Sequence, residues 1–86
     1  MSVACPCCRN LTLSARREYE ICPVCFWEDD GQDEAQADEI WGGPNEMLSL
    51  TEARENYRQF GASSRRRLAF VRAPHRSETQ KNKAIQ

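Results

Sequence analysis

Histidine is almost missing from this chain: His75, close to the C-terminal end, is the only one. Ser14, Ser63 and Ser64 therefore have no paired base, and a Ser-His-Asp arrangement cannot be assembled. Long apolar runs are missing as well, so nothing reads as a bilayer-spanning segment. The opening Met-Ser-Val-Ala-Cys-Pro carries neither a basic n-region nor an apolar h-region, which points to a reducing cytosol rather than an exported protein. No internal repeat supplies a solenoid. Size is also in short supply. A chain of 86 residues makes one small domain whose apolar core alone would be marginal.

Charge of one sign is absent from each of two long stretches or nearly so. Residues 26–47 hold Glu28, Asp29, Asp30, Asp33, Glu34, Asp38, Glu39 and Glu46 with no Lys or Arg. Residues 65–86 hold Arg65, Arg66, Arg67, Arg72, Arg76, Lys81 and Lys83 against Glu78 alone. The net charge of −1 conceals a dipolar molecule.

What the chain does have is cysteine: five of them, all within the first 25 residues. Cys5 and Cys8 flank Pro6-Cys7, and Cys22 and Cys25 flank Pro23-Val24. The result is C-P-x-C, 13 intervening residues, and C-P-x-C again. Two such knuckles at this separation are the pattern of a closed tetrahedral site for one structural Zn²⁺, with Cys5, Cys8, Cys22 and Cys25 as ligands. Disulfides and a redox dithiol are the competing reading, and iron a further one. The odd count and the confinement of the cysteines to one end argue against a disulfide framework. Cys7 could replace Cys8 only through an unusual C-x-C loop. Each proline fixes φ so that the following N–H groups face the thiolates. Metal binding to such knuckles is worth roughly 10–16 kcal/mol, which is folding energy. That exceeds the ~5–15 kcal/mol net stability of a typical domain. The metal should decide whether this chain folds.

The spacing predicts a β-hairpin between the knuckles, with strands over residues 10–13 and 18–21 joined through Ser14–Arg17. Leu11 and Leu13 would share a face with Tyr19 and Ile21. Phe26 and Trp27 are expected to cover the metal site and seed the core, and Trp41 to anchor the Gly42-Gly43-Pro44-Asn45 loop onto it. Ser49-Leu50-Thr51-Glu52 is a capping-box start for a helix running to Phe60, with Gly61 as its left-handed stop. Leu50, Ala53, Tyr57 and Phe60 form its inward stripe, with Glu55 and Arg58 facing solvent. A shorter second helix is expected from Ser63 or Ser64 to about Val71, its Leu68 and Val71 packing together. The fold class is thus a small metal-stabilised α+β domain: a zinc-ribbon-like hairpin with two CPxC knuckles, one main helix and a short second one. The domain should occupy residues 1–76, with residues 77–86 as a disordered tail.

The strings Cys5-Pro6-Cys7-Cys8, Tyr19-Glu20-Ile21-Cys22-Pro23-Val24-Cys25-Phe26-Trp27-Glu28-Asp29-Asp30-Gly31, Gly42-Gly43-Pro44-Asn45 and Leu50-Thr51-Glu52-Ala53-Arg54-Glu55-Asn56-Tyr57 occur in one order. Together they resemble the small cysteine-rich CPCC domain proteins over residues 4–74. The resemblance implies the fold and zinc binding; it implies no reaction. A glycine commonly follows the first knuckle in that family, so Arg9 is a departure.

A Cys₄ site has no open position and cannot activate water as catalytic zinc does. The acidic run Asp29-Asp30-Gly31-Gln32-Asp33-Glu34 fails calcium-loop spacing and reads as a solvated loop or a partner-facing surface. The expectation is a non-enzymatic, zinc-binding interaction module that binds another protein, one variety being a small inhibitor or immunity-type protein. The alternative is a nucleic-acid-binding ribbon using Arg65, Arg66, Arg67, Arg72 and Arg76. A thiol redox or metal-transfer role through Cys7 comes third. No membrane and no small-molecule substrate is expected.

Overall fold

The computed structural model describes residues 2–80. Two short strands, β1 (Val3–Ala4) and β2 (Leu11–Leu13), pair antiparallel, with Val3 opposite Leu13 and Ala4 opposite Leu11. The first knuckle is the turn between them. This corrects the expected pairing of residues 10–13 with 18–21. Residues 18–21 form no strand and lie beside a different partner: Tyr19 N–H donates to Asp29 O at 3.0 Å, Asp29 N–H to Glu20 O at 3.0 Å, and Ile21 bridges Glu28.

The reason is that each C-P-x-C run is itself a hairpin turn, so the chain closes a ladder around each knuckle rather than between them. Left-handed backbone at Arg17 (φ 64°) and Tyr19 (φ 59°) ends any continuation of β2 into residues 18–21. Leu13 is buried as expected, whereas Tyr19 and Ile21 lie exposed. Period-2 alternation marked β2 but not its partner, and the expected second strand over residues 18–21 does not form.

Helix α1 (Leu50–Phe60) begins and ends where the sequence predicts. The Ser49 hydroxyl accepts from Glu52 N–H at 3.0 Å, and Gly61 takes φ 91° with its N–H donating to Tyr57 O. Such a left-handed stop suits glycine because it carries no Cβ. Leu50 and Ala53 are buried, Tyr57 and Phe60 half-buried. The second helix is realised as 3₁₀ turns over Arg65–Phe70. Its inward residue is Arg67 rather than Leu68, which is exposed.

Arg67 enters because backbone acceptors await it. Its guanidinium donates to Phe26 O (3.1 Å), Pro44 O (3.0 Å), Ser63 Oγ (3.1 Å) and Asn45 Oδ1 (3.3 Å). One arginine thus ties the second knuckle to the Gly42–Asn45 loop. Trp41 does not perform that anchoring: it is 45% exposed and lies beside Gly31, its indole N–H donating to Glu39. Of the tail expected from Ser77, residues 77–80 are described. A 3₁₀ turn over Arg76–Glu78 is held by paired bonds from Arg72 to Glu78, both 2.9 Å. Residues 81–86 lie outside the described residues.

The core is built around sulfur. Cys5, Cys7, Cys22 and Cys25 pack with Leu13, Val24, Trp27, Ala37, Leu50 and Ala53, with Val3, Cys8, Leu48 and Tyr57 against them. Trp27 is the largest fully buried side chain, as expected of a residue covering the cysteines.

Candidate metal centre

The two knuckles are built alike, bond for bond. In the first, Cys5 N–H donates to Asn10 O (2.9 Å) and Arg9 N–H to Cys5 O (2.8 Å). In the second, Cys22 N–H donates to Trp27 O (3.0 Å) and Phe26 N–H to Cys22 O (2.8 Å). The N–H two residues past each leading cysteine points at its sulfur: Cys7 to Cys5 Sγ and Val24 to Cys22 Sγ, both 3.4 Å. Arg9 (φ 70°) and Phe26 (φ 67°) occupy matching left-handed positions. A side chain there costs roughly 1 kcal/mol relative to glycine. The closing turn of the knuckle requires that backbone whichever residue carries it.

The C-terminal half locks both knuckles in place. Arg54 Nε donates to Pro6 O at 2.9 Å, and Arg72 N–H to Pro23 O at 3.2 Å. Ser63 N–H donates to Cys25 O at 2.8 Å.

The four expected sulfurs, those of Cys5, Cys8, Cys22 and Cys25, come together within 4.8 Å of one another. Cys5 and Cys25 Sγ are 3.6 Å apart, and Cys8 and Cys22 Sγ are 3.7 Å apart. A tetrahedral ion with metal–sulfur bonds of about 2.3 Å sets its sulfurs about 3.8 Å apart. A disulfide needs about 2.05 Å, and all five cysteines are free. The cluster could therefore bind a metal ion through four thiolates, and the donor set and spacing fit that role.

Electrostatics agree. Hydrogen bonding to Cys22 pushes the Cys5 and Cys25 thiols far up, and burial adds to the effect. Cys22 is held far down by the hydrogen bonds it accepts from Cys25, Cys5 and Cys8. Four sulfurs this close cannot all ionise without a cation among them. Thr12 Oγ1 lies 3.0 Å from Cys22 Sγ and adds a hydroxyl donor for it. Cys5, Cys22 and Cys25 are fully buried and Cys8 half-buried.

The family follows from this layout and from the chain itself. A family model described as cysteine-rich CPCC matches residues 3–78. The chain belongs to the cysteine-rich CPCC family. No curated protein matches it. Within the CPCC run, Cys8 takes the position in the four-sulfur group, and Cys7, outside that group, is buried in the same core.

Other candidate residues resolve differently. His75 is exposed, its backbone N–H donating to Glu78 at 2.8 Å. The acidic run, expected as a solvated loop or a partner-facing surface, is largely bonded within the fold. Asp29 is fully buried and accepts from Arg16 Nε (2.7 Å), Arg17 N–H (2.8 Å) and Gly31 N–H (3.2 Å). Asp33 accepts from Arg16 (2.8 Å) and Arg17 (2.6 Å), and Glu34 from both terminal nitrogens of Arg54 (3.1 Å each). Arg66 pairs with Glu46.

Arg16 was invisible as a structural residue in the sequence, where Ser14–Arg17 reads as a polar link. The available signal was charge: Arg16 and Arg17 are the nearest bases preceding an all-acid stretch.

Proposed function

We propose that this protein is a zinc-stapled, non-enzymatic module that binds another protein. The observation that carries it is the convergence of four cysteine sulfurs within 4.8 Å of one another, a complete donor set that would leave a tetrahedral Zn²⁺ no coordination position for water or substrate. Such a site is a staple, and a chain this small needs one. Zinc suits four thiolates, and free thiols suit a reducing compartment such as the cytosol. No helix among the described residues is long and apolar enough to cross a membrane.

A stapled scaffold without chemistry of its own acts through its surface. Ile40, Trp41 and Met47 are exposed on the loop closed by the Ile40–Ser49 bridge, and Trp and Met are favoured at protein interfaces. An inhibitor or immunity-type role is one form of this reading. Affinity purification from native cells tests it: a stoichiometric protein partner lost on Trp41→Ala supports the module, and recovery of none rejects it. The nucleic-acid reading has less behind it. Arg67 is buried, Arg66 and Arg72 are paired with acids, and Arg65 lies over the Phe60 ring at 4.4 Å.

A further inference from the structure

Beside the four-cysteine cluster lies a cleft of about 340 Å³ lined by Cys7, Cys8, Arg9, Arg54, Tyr57 and Arg58. Three of its six lining residues are arginines, in a protein of net charge −1. Arg54 is preset. Its Nε is fixed on Pro6 O, and its two terminal nitrogens point the same way, each 3.1 Å from a Glu34 oxygen. Arg9 approaches the same carboxylate at 3.6 Å. Glu34 is 76% exposed and sits on a single 3₁₀ turn, so it occupies the fork without being buried there. Arg9 also holds the left-handed position at which glycine is less strained, and it places a guanidinium at this cleft.

We propose that the cleft is a carboxylate-binding site for an acidic side chain or chain terminus of a protein partner. Arg54 and Arg9 form the fork, Arg58, which pairs with Glu55 on α1, supplies a further cation, and Glu34 is a resident competitor. This rests on the interaction-module reading and names the chemistry its partner must carry. The two-pronged Arg54–Glu34 contact already displays the recognised geometry, since a planar guanidinium matches a planar carboxylate in a way a compact ammonium does not. A cleft of this size accepts one side chain, not a strand or helix.

The test uses the metal-loaded full chain and a fluorescein-labelled hexaglutamate peptide, with hexalysine and a single-stranded oligonucleotide as comparisons, read by anisotropy at low salt. Hexaglutamate should bind. Arg9→Gln and Arg58→Gln should each weaken binding at least fivefold, and Glu34→Gln should tighten it severalfold, with circular dichroism and metal content unchanged. Failure of hexaglutamate to bind overturns the proposal, as does binding indifferent to Arg58→Gln or binding of the oligonucleotide in its place. A partner recovered from cells that binds the Arg9→Gln, Arg58→Gln double variant undiminished overturns this cleft while leaving the module reading intact. Hexaglutamate binding that depends on both arginines supports the cleft even if no cellular partner is recovered.

Discussion

Cys7 and Cys8 are neighbours in a run of four residues, yet their roles separate cleanly. Cys8 sits in the four-sulfur group and Cys7 does not. Replacing Cys8 by Ser removes one of four donors and should abolish stable metal binding and folding together. Cys7→Ser should retain one metal per chain and the native circular dichroism, at the lower stability expected of a polar atom in a buried site. Metal analysis of the two variants separates them. Equal loss in both would mean the wrong sulfur has been assigned. Arg9 offers a second check at this scale. Arg9→Val should destabilise by about 1 kcal/mol or more, because a β-branched residue resists positive φ. Arg9→Gly should fall within about 1 kcal/mol of the parent, relief of strain offsetting an exposed ion pair. Chemical denaturation of the metal-loaded forms measures both.

Elements are held here less by strand or helix than by single polar clasps. The clearest joins residues 16–17 to residues 29–33 through the buried Asp29 carboxylate. Arg16→Ala leaves that carboxylate without its cation and should cost about 3 kcal/mol, the low end for a broken buried pair because Arg16 is partly exposed. A loss under 1 kcal/mol in denaturation would show that Asp29 is served by its backbone donors alone.

The clasp from Arg72 to Glu78 carries a pH signature. The Arg72 guanidinium, with the His75 N–H behind it, lowers the Glu78 carboxyl to about 2. A depressed carboxylate contributes stability above its ordinary value near 4.5, and the contribution is lost as pH falls from there through the folded value. Carbon-detected NMR should therefore find Glu78 still ionised at pH 4.5. A half-protonated Glu78 at that pH would mean that the Arg76–Glu78 turn is not held as described.

On the scale of the whole molecule, cysteines fill the place where a larger protein keeps its leucines. Chelation at neutral pH under reducing conditions should unfold the chain, and Zn²⁺ should restore it with release of thiol protons. A chelated chain that keeps its near-ultraviolet dichroism would mean the staple is dispensable. The segregated charges meet a related need. Among the described residues the acidic stretch closes back on Arg16, Arg17, Arg54 and Arg66, of which Arg66 alone comes from the basic C-terminal segment.

Local chemistry accounts for a definite part of this protein. The two cysteine knuckles with their proline turns and the Ser49 start and Gly61 stop of α1 follow from residue type and short-range spacing, because each depends on contacts made within a few residues. Strand pairing was not legible, since alternation marks an extended segment without naming its partner, and each knuckle turned out to close its own ladder. Nor could the roles of Arg16 and Arg67 or the exposure of Trp41 be read from the chain. Where Arg16 and Arg67 lodge depends on acceptors brought in from 13 to 41 positions away. Such distant partners come together only when the cysteine knuckles and the helix are packed.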